Sequence, residues 1–280
     1  MNGVKTIALM TLMTVGFVLL GQYLGGQQGM IMALVLAAVM NFIAYWFSDK
    51  IALLSYGAQP VSEAEAPELY SLVRNLATRA GIPMPKIYII PSASPNAFAT
   101  GRNPQHAAVA VTQGILQLLN RQELEGVIAH ELGHVKNRDI LIGSIVATMA
   151  GAITMLARMA SWGAMFGGYG DRDRDRGGGL GLLIMAILAP IAALLVQMWI
   201  SRTREYQADA SGAAIAGTPH GLANALEKLE RGAQMIPISN ANPSSAHMFI
   251  VNPLSGKSLM ALFSTHPPIA ERVARLRAMR

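Results

Sequence analysis

"AHELGHVKNRDILIGSIVATMAGAITML", residues 129–156, decides how this chain is built. It opens with two histidines four residues apart around a glutamate, the pattern of a water-using metal site, and closes as uninterrupted hydrocarbon. On a helix His130 and His134 project from one face and can grip one ion, while Glu131 points toward the same cleft. With a metal bound, such a carboxylate can take a proton from water and later hand it to a leaving amine. The run that follows, Ile140 to Leu156, contains no charged side chain. A polar site within two helical turns of a membrane span is the combination to be explained.

The rest of the composition leans toward the membrane too. The 280 residues are 52% hydrophobic and only 14% charged, enough for one soluble domain plus several spans. Thr6 to Leu24, Met30 to Phe47 and Gly177 to Ser201 are also free of charge, and a helix needs roughly 20 such residues to cross a bilayer. Four transmembrane helices are expected. Buried helices of a soluble core are the competing reading, but the chain has few charges to solvate the remainder. Arg158 lies near the far end of the third span, where its stem can carry the guanidinium to the interface. Pro190 is expected to kink the fourth. A cleaved signal peptide fits the first tract poorly, because a second apolar run follows it instead of mature polar sequence.

Lys and Arg set the orientation. The connector Gly25 to Gly29 has none, Ser48 to Asp139 has eight and the tail after Ser201 has nine, so both large polar segments are expected on the cytoplasmic side. "DRDRDR" at 171–176 puts three arginines opposite and runs against that rule; its Gly-rich flanks suggest a solvated loop. The net charge of +6 suits contact with anionic lipid heads. No pattern of basic and aromatic residues points to nucleic acid, and nothing speaks to oligomeric state. The chain has no cysteine, so any metal must be held by His, Asp or Glu.

The polar parts show helices around a small sheet. Ser62 and Glu65 form a capping box that predicts a helix with Leu69, Leu72, Val73, Leu76 and Ala80 on one face, stopped by Gly81 and Pro83. "KIYII" (86–90), "NAFAT" (96–100) and "AAVAV" (107–111) read as strands. A second capping box, Asn120 with Glu123, starts the helix of the two histidines, and its apolar positions continue without a breaker toward the third span. The tail reads as helical around 203–230, irregular through 234–258 and helical again from Pro268.

A hydrolytic zinc takes three protein ligands and keeps one position open. "SRTREYQADASG" (201–212) offers Glu205, with Asp209 on the same helical face. His134 precedes Ile140 by six residues and Glu205 follows Ser201 by four, so on antiparallel spans both sit roughly 6 to 9 Å beyond the membrane boundary. The competing reading of Glu205 is a surface ion pair with Arg202 or Arg204. Manganese or cobalt tolerates a similar ligand set, so zinc is an inference from the ligands.

HELGH, RTREYQAD, NAFATG and STHPP together resemble the HtpX family of bacterial membrane metallopeptidases, relatives of the eukaryotic type I prenyl-protein endopeptidase. The resemblance covers essentially the whole chain. It implies one zinc per subunit held by His130, His134 and Glu205, with Glu131 as base and Asp209 orienting a ligand histidine. It also implies a bacterial inner-membrane location and polypeptide substrates such as misfolded or damaged membrane proteins, in quality control under stress. NAFA resembles the edge strand on which zincins lay an extended peptide, with backbone groups of Ala97 and Phe98, beside Asn96, pairing with substrate; an ordinary edge strand is the alternative. His266 in STHPP is placed by the family pattern to bond a developing oxyanion. Equally, that segment suits the start of the last helix.

The expected fold is mainly α with a small β-sheet, a zincin-like catalytic domain integrated with four transmembrane helices. The chain divides into a transmembrane hairpin (1–48), a first catalytic part (49–139), a second hairpin (140–201) with a flexible loop at 163–179, and a second catalytic part (202–280). An intramembrane site is disfavoured by the polarity of "NRQELEG" just before His130. A silent scaffold with structural zinc is disfavoured because such zinc fills its fourth position with protein. A transporter is disfavoured by the near absence of intramembrane charge.

Overall fold

The computed structural model describes residues 2–146, 148–149, 202–235 and 267–279. Helix α1 (Asn2–Ser55) is two helices joined at a break, with Gly25 at φ −138° and Gly26 at φ 59°, ψ −146°. Only glycine adopts the second conformation at no steric cost. The halves fold back on each other: Gly21 lies against Gly29 and Ala33, and Asn41 donates to Thr14 Oγ1 at 2.9 Å. Small residues let the backbones approach, and the polar pair closes inside the hairpin. Large apolar side chains such as Ile7, Leu19, Tyr23, Met32 and Phe42 are mostly exposed along its outer face. Two segments, Thr6–Tyr23 and Gly25–Ser55, are long and apolar enough to cross a membrane. They account for two of the four expected spans. The second half of the third, all of the fourth, the loop at 163–179 and nearly all of the irregular stretch at 234–258 lie outside the described residues.

Four strands form one mixed sheet in the order β1-β2-β4-β3: β1 (Gln59–Pro60), β2 (Lys86–Ile90), β3 (Ala97–Thr100) and β4 (Ala108–Thr112). β2 and β4 are parallel, and β3 runs antiparallel to β4 at the edge. The alternating side chains of β4 serve two cores. Val109 and Val111 face the helices, while Ala108 and Ala110 join Ile90, Phe98 and Leu53 on the opposite face. That second face is covered by the last turn of α1, so the hairpin continues out of its apolar region to become the back wall of the sheet.

Helix α2 (Pro67–Ala80) begins four residues later than the capping box predicts. Ser62 and Glu65 do bond, Ser62 N–H donating to Glu65 Oε2 at 2.6 Å, but they close a turn before the helix. Pro67 sets the true start, since its fixed φ and missing N–H suit the first helical position. Gly81, at φ 69°, ends α2 as expected. A short α3 (Gln113–Leu118) leads into α4 (Arg121–Lys136), whose Asn120–Glu123 capping box is complete. α4 is the hub, packed against α2, β3, α6 (Arg202–Ala216) and α7 (His220–Met235). Gly217, at φ 81°, and Pro219 divide α6 from α7, splitting the single helical stretch read at 203–230. α8 (Ile269–Arg277) starts directly after Pro268.

The path from α4 to the third apolar tract is not continuous. α4 ends at Lys136 with Asn137 as its cap, and Arg138 takes a left-handed φ of 59°. A new helix, α5, begins at 140. Its buried residues Ile142, Ile145, Val146 and Met149 pack against Met13 and Ala44 of the hairpin. A left-handed arginine is costly, and it is held by what the turn builds around His134, described below.

A Cβ added at Gly126 would run into the backbone of Gly221 and Leu222 in α7. Gly126→Ala is therefore expected to destabilise the fold by about 3 kcal/mol, because backbone on both sides must move apart. A lower apparent Tm by several degrees, with secondary structure retained, checks this.

Candidate active site

Helices α4 and α6 cross with almost no side chain between them. A Cβ on Gly212 would lie 2.8 Å from His130 Cα, and one on Gly133 would lie 3.1 Å from the Ala208 carbonyl oxygen. This backbone-to-backbone approach brings Glu205, in the first turn of α6, to the two histidines of α4. His134 Nε2 is 3.4 Å from Glu205 Oε1, and His130 Nε2 is 3.7 Å from Glu205 Oε2. The three residues offer ligand atoms all within 4.8 Å of one another. The imidazoles are nearly perpendicular, at 87°, as two groups converging on one point from successive turns should be.

Distances and charge both fit a divalent ion. Zinc–ligand bonds of about 2.1 Å in a tetrahedron separate ligand atoms by about 3.4 Å, close to the spacing here. The surrounding cluster holds four carboxylates, Glu131, Asp139, Glu205 and Asp209, and two guanidinium groups, Arg204 and Arg272, all buried. With both imidazoles neutral, as metal binding requires, two negative charges are left over among the described residues, and burial makes such a surplus expensive unless a cation, metal ion or proton, offsets it. The same surplus acts on His134. Burial, the largest single influence, works to lower its pKa, but hydrogen bonds to Asp139 and Glu205 and the charges of Glu205 and Glu131 push it up to about 10. Proton and metal compete for that nitrogen.

Each histidine is oriented through the nitrogen that faces away from Glu205. Asp209 Oδ1 lies 2.9 Å from His130 Nδ1, and Asp139 Oδ2 lies 3.3 Å from His134 Nδ1. A carboxylate in that position fixes the tautomer and the ring plane. Asp139 reaches His134 because of the left-handed turn at Arg138, which also lets the Asp139 N–H donate to the His134 carbonyl at 2.9 Å. Asp209 is in turn held by Arg272, whose Nη2 and Nε donate at 2.6 and 2.9 Å. Burial raises the Asp209 pKa, yet the bonds from His130 and Arg272 outweigh it and keep the carboxyl below its ordinary range. Arg272 Nη1 lies 3.5 Å from Glu205 Oε2, so one buried guanidinium spans two of the carboxylates.

Glu131 is buried and faces the sheet edge, where its Oε2 accepts from the Ala99 N–H at 2.9 Å. The register explains that contact. Thr112 N–H donates to the Asn96 carbonyl at 2.9 Å, so the backbone of Asn96 faces β4. Backbone groups alternate along an antiparallel strand, and Phe98 is paired opposite Ala110. The outward peptide groups of β3 are therefore those of Ala97 and Ala99, not of Phe98, whose ring packs on the back of the sheet. The expectation of an outward Phe98 backbone is corrected by this period of two.

The structure thus gathers His130, Glu131, His134, Glu205 and Asp209 into one buried cluster beside β3. His266 lies outside the described residues. Asp139, Arg272 and the Ala99 N–H were not singled out in the sequence, and Arg204 was read only as a surface partner of Glu205. The NRD turn carried a faint signal for Asp139, but nothing distinguishes Arg272 from Arg275 and Arg277 in an amphipathic terminal helix.

Arg272→Leu leaves Asp209 charged and uncompensated, and is expected to cost about 3–5 kcal/mol. Arg272→Leu combined with Asp209→Leu is expected to cost less than Arg272→Leu alone, which thermal unfolding of the two variants checks.

Comparison with known proteins agrees with this geometry. Residues 63–280 match the family model for peptidase family M48. "Protease HtpX homolog" of Desulfatibacillum aliphaticivorans is 62% identical over 280 residues, covering 100% of this chain and 90% of that protein. The protein of the same name from Syntrophotalea carbinolica is 58% identical over 279 residues, covering 100% of this chain and 99% of its own. A crystal structure of S. mikatae Ste24p aligns with a TM-score of 0.49 at 23% identity, over 86% of this chain and 57% of that one. On the family match and the full-length identity, the chain belongs to peptidase family M48, as a metalloprotease of the HtpX type.

Proposed function

We propose that the chain is a membrane-integrated zinc endopeptidase in which His130, His134 and Glu205 hold the ion and Glu131 is the general base. The observation that carries this reading is the meeting of the two α4 imidazoles with the Glu205 carboxylate, with ligand atoms within 4.8 Å of one another, inside a cluster rich in buried carboxylates. Zinc in such a site polarises a peptide carbonyl and acidifies water. The chain's own residues do the rest. Glu131, held by the Ala99 N–H, takes the proton from the attacking water and returns it to the leaving amine. Asp209 and Asp139 keep the histidines in the tautomer that leaves Nε2 free for the ion. An extended peptide lies along the open side of β3 and bonds with Ala97 and Ala99. The STHPP pattern supports His266 as the group that bonds the developing oxyanion.

The domain reading follows: a zincin-like catalytic unit in two parts, 49–139 and 202–280, interleaved with hairpins at 1–48 and 140–201. The Lys and Arg distribution supports a cytoplasmic site and an inner-membrane location. Misfolded or damaged membrane proteins are the proposed substrates, since the site adjoins the helices that would cross the bilayer.

Purified full-length protein supplied with zinc should cleave an unfolded polypeptide and lose that activity to a chelator. Glu131→Gln should keep about one zinc per chain while the rate falls roughly 10²–10⁴-fold. Equal activity in that variant removes Glu131 from the mechanism. Glu205→Ala should lose both zinc and activity, as metal analysis of the purified variant will read directly.

A further inference from the structure

Strand β3 is only four residues long, yet its end is fastened to the apolar helices at two points, and its back rests on the turn after α1 at a third. Thr100 Oγ1 and Ser144 Oγ lie 2.7 Å apart, both buried, and Ser144 belongs to α5, the start of the third apolar tract. Two residues on, the Arg102 guanidinium stacks on the Trp46 ring of α1 at 4.7 Å. Behind the strand, the Phe98 and Tyr56 rings are 5.1 Å apart. On its open side the same strand holds Glu131 through the Ala99 N–H. One short element therefore touches the membrane helices at its end and the proposed base one residue earlier.

We propose that Thr100 and Ser144 are positioning residues for the reaction: their hydrogen bond sets the height of β3 over α4, and with it the Glu131 carboxylate. The proposal rests on the reading of Glu131 as base. The physical reason lies in the strand's exposure. β4 fixes the register of β3 from one side only, and a ladder of four residues leaves an edge strand free to pivot about that side. The hydroxyl pair closes the pivot from below, at a point where no water competes for either group. Packing of α5 against the hairpin is thereby transmitted to the catalytic carboxylate.

Thr100→Val keeps the shape and β-branching of the side chain and removes only the hydroxyl. Ser144 can then turn to the carbonyl four residues back in its own helix, as helical serines do, so the fold survives while the link is lost. The test uses the full chain in lipid nanodiscs with an extended fluorogenic peptide, at a temperature well below unfolding. Thr100→Val should lower kcat about tenfold with KM changed much less, the scale of one buried hydrogen bond. Zinc content should stay unchanged. Thr100→Ser should restore kcat, Ser144→Ala should match Thr100→Val, and the double variant should be no slower than either alone. An unchanged kcat, a loss confined to KM, failure of serine to rescue, or additive effects would each overturn the positioning role. A wild type inactive with zinc sinks the endopeptidase reading and this one with it. An active wild type with unaffected variants sinks only this one.

Discussion

The contact between α4 and α6 is made of backbone. Where Gly212 meets His130 and Gly133 meets Ala208, two helices approach as closely as a peptide chain allows. A methyl group at Gly212 would push the backbones apart, and one at Gly133 would crowd the Ala208 carbonyl, so both bear on how closely Glu205 approaches the imidazoles. The ligand set is therefore a property of helix packing before it is a property of side-chain chemistry. α7 repeats the device one step along, with Gly221 and Gly126 removing bulk where it crosses α4. Rigid elements locked at this distance hold a site to tighter tolerance than loops could.

Around that contact the charges form a closed system. Arg272 is fully buried and shared between Asp209 and Glu205, Asp209 and Asp139 each face one histidine, and among the described residues the buried carboxylates of the cluster outnumber its guanidinium groups. A cation bound among these carboxylates, whether a metal ion or the proton on His134, offsets their mutual repulsion. The arrangement also explains the left-handed Arg138. The turn interrupts a helix that would otherwise run on, and what it gains is Asp139 at the back of His134.

Much of this was legible in the sequence because its signals were local. The Asn120–Glu123 cap, the strands at 86–90, 97–100 and 108–112, the Gly81 stop and the histidine spacing each depend on residues within a few positions of one another. Glu205 was reachable because the apolar tracts served as a ruler. What was missed depends on tertiary contact. Ser62 and Glu65 make only half of a capping box, the Glu65 carboxylate accepting from the Ser62 N–H, and Pro67 decides where α2 starts. No local pattern shows that Arg138 turns left-handed, or that Arg272 is the terminal arginine whose face points inward. The backbone direction of Phe98 follows from the alternation of strands, yet only the partner strand tells which phase applies.

The last turn of α1 covers the rear of the sheet, where Leu53 and Tyr56 meet Ile90, Phe98, Ala108 and Ala110. This ties the two halves of the molecule together in evolution. A descendant that shed its apolar hairpin would also strip an oily wall from its protease, so trimming the amino terminus alone would leave the sheet's rear face bare. Such a descendant would first have to repaint the underside of the sheet.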